Sequence, residues 1–184
     1  MDAEESPALT RPPDEDDLVN LARELNRLGV RYVVIGGLAI NRLGSNRATE
    51  DIDLLIARDI ANQRLVKEAL RILPNRSIDE LGDEDIAQWV VVRVSDNILV
   101  DLMTEACGVD FEEAAGGIEI ENLQGEPIPF AGPELMLKLK RGHREKDVND
   151  RGYAARGITK LMRSSGLCRV RGGFYSVNDG CHAA

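Results

Sequence analysis

The sequence lacks the features that mark a membrane protein or a disulfide-framed secreted one. No apolar run among its 184 residues approaches the ~20 residues that a spanning helix needs. The first ten residues, MDAEESPALT, are acidic where a secretory leader would be basic. Cysteine is sparse: Cys107, Cys168 and Cys181 are odd in number, scattered, and without metal-ligand spacing. Neither a disulfide scaffold nor a zinc site is expected from them, and a reducing cytoplasm is. Basic charge is also short, with 23 Lys+Arg against 32 Asp+Glu and a formal net charge of −9. That balance argues against a protein that coats nucleic acid along its whole surface. Internal repeats are absent.

The shortage of base is not uniform. Residues 1–137 hold 12 basic and 28 acidic side chains, whereas residues 138–172 hold 11 basic and 3 acidic ones. An acidic body therefore carries a basic C-terminal segment. A hydrophobic content of 43% suffices for a packed core and excludes wholesale disorder, and the length suits one domain. Residues 1–15, with Pro7, Pro12 and Pro13 among acids, read as a flexible N-terminus.

From Asp16, the spacing of Leu18, Leu21, Ala22, Leu25 and Leu28 predicts a helix stopped by Gly29. Arg31 to Ile35 is a short β-branched run ending at Gly36-Gly37, a buried strand with a tight exit into a short helix over Leu38 to Leu43. A second strand covers Glu50 to Ile56, a helix covers 59–73, and 75–87 reads as loop with at most one helical turn. Strands are expected over Gln88 to Val94 and Asn97 to Thr104, then a hairpin over 117–122 and 126–130. A helix opened by Gly132-Pro133-Glu134 continues to about Asp150. Residues 16–150 thus form one α+β unit. Residues 151–184, with six of the 17 glycines and no sustained periodicity, read as a weakly structured Gly/Arg-rich tail.

Asp51 and Asp53 carry the first chemical signal. Residues i and i+2 of a strand share a face, so both carboxylates leave the sheet side by side. Apolar neighbours Ile52, Leu54, Leu55 and Ile56 add a desolvation cost to their mutual repulsion. A divalent cation relieves both, and Mg²⁺ characteristically takes one or two carboxylates plus substrate phosphates. Gly36 and Gly37 follow a strand and precede a helix, where backbone N–H groups can approach a phosphate; a plain strand-to-helix turn fits the same residues. Asp101, inside the apolar run Asn97 to Met103, is a third acid, either paired or metal-bound, or else facing outward on an edge strand.

Together, the strand–Gly-Gly–helix element, the Asp-x-Asp strand and the strand bearing a third Asp resemble the nucleotidyltransferase superfold of the DNA polymerase β type. The segments Val33-Val-Ile-Gly-Gly-Leu-Ala39 and Arg47-Ala-Thr-Glu-Asp-Ile-Asp53 look most like the bacterial abortive-infection type IV toxins (AbiEii) and related enzymes. Arg144-Glu-Lys-Asp-Val-Asn-Asp150 is similar to the Arg-x-Lys-Asp-x-x-Asp helix of these families. The resemblance departs after Asp150, where Arg151-Gly152-Tyr153 stands in place of Leu and further apolar helix.

The resemblance implies a small mixed β-sheet flanked by helices, and Mg²⁺-dependent transfer of a nucleoside monophosphate from a nucleoside triphosphate. Asp51, Asp53 and Asp101 would be catalytic, and would hold two Mg²⁺ ions. Asp101 would also help to deprotonate the acceptor. Gly36 and Gly37 would cradle phosphate, with Lys138 as the cation and Lys140 as its competitor. Lys146 and Asp147 match the family's Lys-Asp pair, or form an ordinary solvated helix face. Arg47 and Thr49 would position phosphate or order the loop, with a plain surface charge the other reading of Arg47. The implied acceptor is tRNA or a partner protein, as in toxin–antitoxin or phage-defence systems; alternatives are an antibiotic, or a non-catalytic nucleotide-binding or antitoxin module.

Overall fold

The computed structural model describes residues 10–82, 85–140, 145–164, 167–170 and 173–176. Helix α1 (Glu15–Arg27) begins where the sequence supplies a capping box: the Asp14 carboxylate accepts from the Asp17 N–H, and Asp17 accepts from the Asp14 N–H. Such caps contribute about 1 kcal/mol. Arg11 adds a two-pronged pair to Asp17, at 2.5 and 2.8 Å. The helix buries Leu18, Leu21, Ala22 and Leu25 and packs against α3 and β8.

Strand β1 (Tyr32–Val34), α2 (Gly36–Arg42), β2 (Asp51–Ile56) and α3 (Ile60–Leu70) follow. A 3₁₀ turn at Ser77–Glu80 and α4 (Asp85–Gln88) occupy the stretch expected to hold at most one turn. Then come β3 (Val92–Ser95), β4 (Leu99–Met103), the two-residue strands β5 (Glu105–Ala106) and β6 (Val109–Asp110), and α5 (Phe111–Ala114). The hairpin β7 (Ile118–Leu123) and β8 (Glu126–Ala131) precedes α6 (Pro133–Leu139), α7 (Glu145–Ser164), β9 (Leu167–Val170) and β10 (Gly173–Ser176).

Six strands make one sheet in the order β3-β4-β2-β1-β8-β7. Two pairings are parallel, β2 with β4 and β1 with β8, and the rest are antiparallel. The fold is the mixed sheet flanked by helices that the resemblance implied. Side-chain alternation along β2 sends Ile52, Leu54 and Ile56, all fully buried, to one face. Asp51 and Asp53 go to the other. The acids thus leave the sheet opposite these three side chains, on a face that also buries Leu55.

Several elements differ from the sequence reading. The helix expected over 133–150 is two helices: α6 ends at Leu139, where Lys140 takes a non-helical conformation (φ −109, ψ 53) shortly before Gly142, a poor helix former. The second helix runs to Ser164 rather than ending near Asp150. Packing carries it through glycines that weaken the sequence signal. Ala154 is fully buried, and a Cβ on Gly157 would sit 3.0 Å from Pro133 Cγ. Gly157 is the price in propensity for a close approach of α7 to the start of α6. Strand β3 also starts later than expected, leaving Trp89, Val90 and Val91 exposed, since its pairing with β4 begins only at Val92–Leu102. Among the described residues no helix is long and apolar enough to cross a membrane.

Candidate active site

The site is assembled by strand register. On the parallel pair β2/β4, Asp53 lies directly opposite Asp101, and Asp51 shares the face of Asp53 two residues earlier. One oxygen from each of Asp51, Asp53 and Asp101 falls within 4.8 Å of the others. Asp101 is almost fully buried, while Asp51 and Asp53 are half-buried. Like charges at this separation oppose ionisation. Burial first, then Asp51 and Asp101, push the Asp53 carboxyl up from its ordinary value to about 6, with Lys140 and the Gly37 N–H acting in the opposite direction.

The two glycines have a steric reason. Gly36 adopts φ +65, a left-handed conformation that favours glycine. A Cβ there would fall 1.8 Å from Asp53 Oδ2, and one on Gly37 would fall 2.2 Å from Thr49 Cγ2. The Gly36-Gly37 turn is therefore open so that the acid strand and the loop before it can close on the start of α2. The Ile35 N–H donates to the Asp53 carbonyl at 3.0 Å, and the Gly37 N–H donates to the Asp53 carboxylate.

A second ionic group stands behind the first. Asp150, on α7 and 1% exposed, accepts from Arg47 Nη2 at 3.3 Å and pairs with Lys140 Nζ at 3.1 Å. Asn41 fixes the Arg47 backbone from α2, donating to its carbonyl at 2.8 Å and accepting from its N–H at 3.3 Å. The front loop, α6 and α7 thus meet at one buried carboxylate.

These elements surround a cavity of about 600 Å³ whose lining includes Gly36, Gly37, Arg47, Thr49, Asp51, Asp53, Asp101 and Lys140. Seven of the residues expected at the site line it, together with Lys140, the competitor of Lys138. Lys138 does not: it is exposed on α6. Lys140, just past the end of α6 in a non-helical conformation, is the one of the pair that lines the cavity. Lys146 and Asp147 fall in the first turn of α7, but their side chains lie outside the described residues.

Arg93 is the residue that sequence reasoning missed. Its Nε and Nη2 donate to the two oxygens of Asp101, both at 2.7 Å, and Nη2 also reaches Asp51 Oδ2 at 3.2 Å. The hydrogen bond to Asp101 is the main cause that holds the guanidinium firmly cationic. The polar residue within Val92-Arg93-Val94 was a usable signal, since alternation puts it on the outward face. Knowing that it meets Asp101 required the β3/β4 register.

No family model matches the sequence, and none of the curated proteins does. Solved structures do resemble it. The lincosamide antibiotic adenylyltransferase LnuA, in its lincomycin-bound form, aligns with TM-score 0.53 and 15% identity over 78% of this chain and 98% of that one. ANT(2")-Ia in complex with adenylyl-2"-tobramycin aligns with TM-score 0.51 and 15% identity, over 80% and 92% of the two chains. An antigenic nucleotidyltransferase-like protein from Paracoccidioides brasiliensis aligns at 18% identity and TM-score 0.48, over 83% and 90%. The first two likenesses show the fold: it is that of nucleotidyltransferases.

Proposed function

We propose that this chain is a Mg²⁺-dependent nucleotidyltransferase, moving a nucleoside monophosphate from a nucleoside triphosphate to an acceptor hydroxyl. The observation that carries the reading is the convergence of Asp51, Asp53 and Asp101 oxygens within 4.8 Å, on a nucleotidyltransferase fold and at the wall of a cavity. The donor set fits a hard divalent cation, being all carboxylate oxygen, and the raised Asp53 carboxyl reports a site short of positive charge. When bound, Mg²⁺ supplies electrostatic stabilisation of the triphosphate and of the charge that develops on the leaving pyrophosphate.

The chain's own residues then have separable tasks. Asp51, Asp53 and Asp101 hold the cation. Gly36 and Gly37 keep the approach to α2 free of side chains, where phosphate oxygens gather. Lys140 and Arg47, tied to Asp150, stand as cations beside the phosphates, and Thr49 closes that wall. The acceptor oxygen attacks the α-phosphorus, the bond to the pyrophosphate oxygen breaks, and the hydroxyl proton passes to the carboxylate group that includes Asp101.

Two readings of the acceptor stand apart. The toxin-like resemblance suggests tRNA or a partner protein, supported by the basic segment 138–172. The cavity lining supports a small cationic molecule: Glu50, Glu105 and the three aspartates outnumber Arg47, Arg93 and Lys140 there, alongside apolar Val90, Val91 and Met103. Acidic side chains with an apolar wall suit an ammonium-bearing compound with hydrophobic surface.

The test is incubation with α-labelled nucleoside triphosphates and Mg²⁺ in the presence of tRNA, cell protein or an amine-bearing antibiotic panel. Label is expected in one acceptor class with the wild type and at least 10³-fold less with Asp51→Asn/Asp53→Asn, the scale of electrostatic contributions to transfer. Equal labelling by the variant overturns the reading.

A further inference from the structure

The inference concerns Arg93 and rests on the reading of the three aspartates as a cation site. Three neighbouring strands place Asp53, Asp101 and Arg93 in one row, Asp53 opposite Asp101 and Asp101 opposite Arg93. Arg93 takes both oxygens of Asp101 at 2.7 Å, and its Nη2 extends to Asp51 Oδ2 at 3.2 Å. One nitrogen thereby bridges carboxylates from two strands whose oxygens approach each other within 4.8 Å. That is the span a shared cation would also bridge. We propose that Arg93 is the built-in counter-ion of this site, a positioning residue that holds Asp101 and Asp51 together without metal and competes with the first cation for them.

The two partners differ in freedom. The Asp101 side chain is 9% exposed and the Arg93 side chain 54%, so the acid is fixed by the sheet while the guanidinium borders water. An arginine on a flexible aliphatic stem can leave such a pair and remain solvated. A half-exposed ion pair is ordinarily worth little, but here the pair is two-pronged and its acid is nearly buried. Both features strengthen charge-assisted hydrogen bonds. Arg93 belongs to the cation site for this reason, and is no incidental surface charge.

Competition has a definite sign. Guanidinium and divalent ion seek the same lone pairs and repel each other at close range, so a neutral side chain at 93 tightens metal binding. A residue that merely orients Asp101 would act in the opposite direction when removed.

The test is Mn²⁺ titration of the full chain without nucleotide, followed by electron paramagnetic resonance, for wild type, Arg93→Met and Arg93→Gln. About tenfold tighter Mn²⁺ binding is expected in both variants, a modest share of the repulsion between charges a few ångströms apart. The metal-free melting temperature of the variants falls, and Mg²⁺ raises it by more than it raises that of the wild type. Equal or weaker Mn²⁺ binding in Arg93→Met and Arg93→Gln overturns the proposal, as do equal Mg²⁺-induced rises in melting temperature. Failure of the underlying reading looks different: wild type, the Arg93 variants and Asp51→Asn/Asp53→Asn would then all bind Mn²⁺ equally or not at all.

Discussion

Asp53 occupies a place where a carboxylate is hard to keep ionised. It is half-buried, has Asp51 and Asp101 within reach, and holds its proton to about pH 6. The sign of the consequence follows from linkage. Below about pH 4 the group is protonated in both folded and unfolded chains. Between there and 6 the unfolded chain ionises while the folded one retains the proton, so the metal-free fold loses stability as pH rises across that window. Above 6 the loss is constant, at about 3 kcal/mol. Urea unfolding in a chelator should therefore show Asp53→Asn more stable than wild type by about that amount at pH 8 and indistinguishable at pH 4. Parallel stability curves from pH 4 to 8 would contradict this.

At this same scale the sequence spoke clearly about some residues and not others. Asp51, Asp53 and Asp101 stood out because acids seldom interrupt apolar strands, and alternation alone put the first two on one face. Gly36-Gly37 was visible as a strand exit, but its steric cause, the Asp53 carboxylate and the Thr49 methyl, is a tertiary fact. Lys138 and Lys140 could not be separated by spacing, since α6 ends between them, at Leu139. Arg93 was hidden because its meaning lies in a cross-strand partner.

Among the elements, α7 carries the largest difference between sequence and structure. Its glycines and arginines gave no helical face, yet Ala154 and Gly157 seat it against α6 and α2. Its link to the site is Asp150, whose carboxylate serves Arg47 from the front loop and Lys140 from the end of α6. Removing a buried acid leaves two cations facing each other with less compensation, and breaking buried pairs by truncating one partner is costly. Discounting for the partial exposure of Arg47, Asp150→Ala should lower unfolding free energy by about 2 kcal/mol in denaturant titration, with Asp150→Asn losing less. A variant as stable as wild type would show that the junction contributes nothing to holding α7.

For the molecule as a whole, the acidic formal charge of −9 is distributed to a purpose. Three carboxylates converge at one cavity, while Arg47, Arg93 and Lys140 line the same space. The charged groups gather at a cavity that the core residues Met103 and Leu139 also border, beside a continuous apolar core. The architecture was legible because helical and strand periodicities alternate along 16–131, whereas the helix break after Leu139 and the continuation to Ser164 depended on long-range contacts.

The central claim is that Asp51, Asp53 and Asp101 couple a divalent cation to a nucleoside triphosphate. Calorimetric titration with a non-hydrolysable triphosphate, with Mg²⁺ and with chelator, measures that coupling without needing the acceptor. Saturable binding that requires Mg²⁺, and that falls at least tenfold in Asp51→Asn/Asp53→Asn, is the expected result. Binding of equal strength with and without Mg²⁺, or unchanged in the variant, would contradict the account.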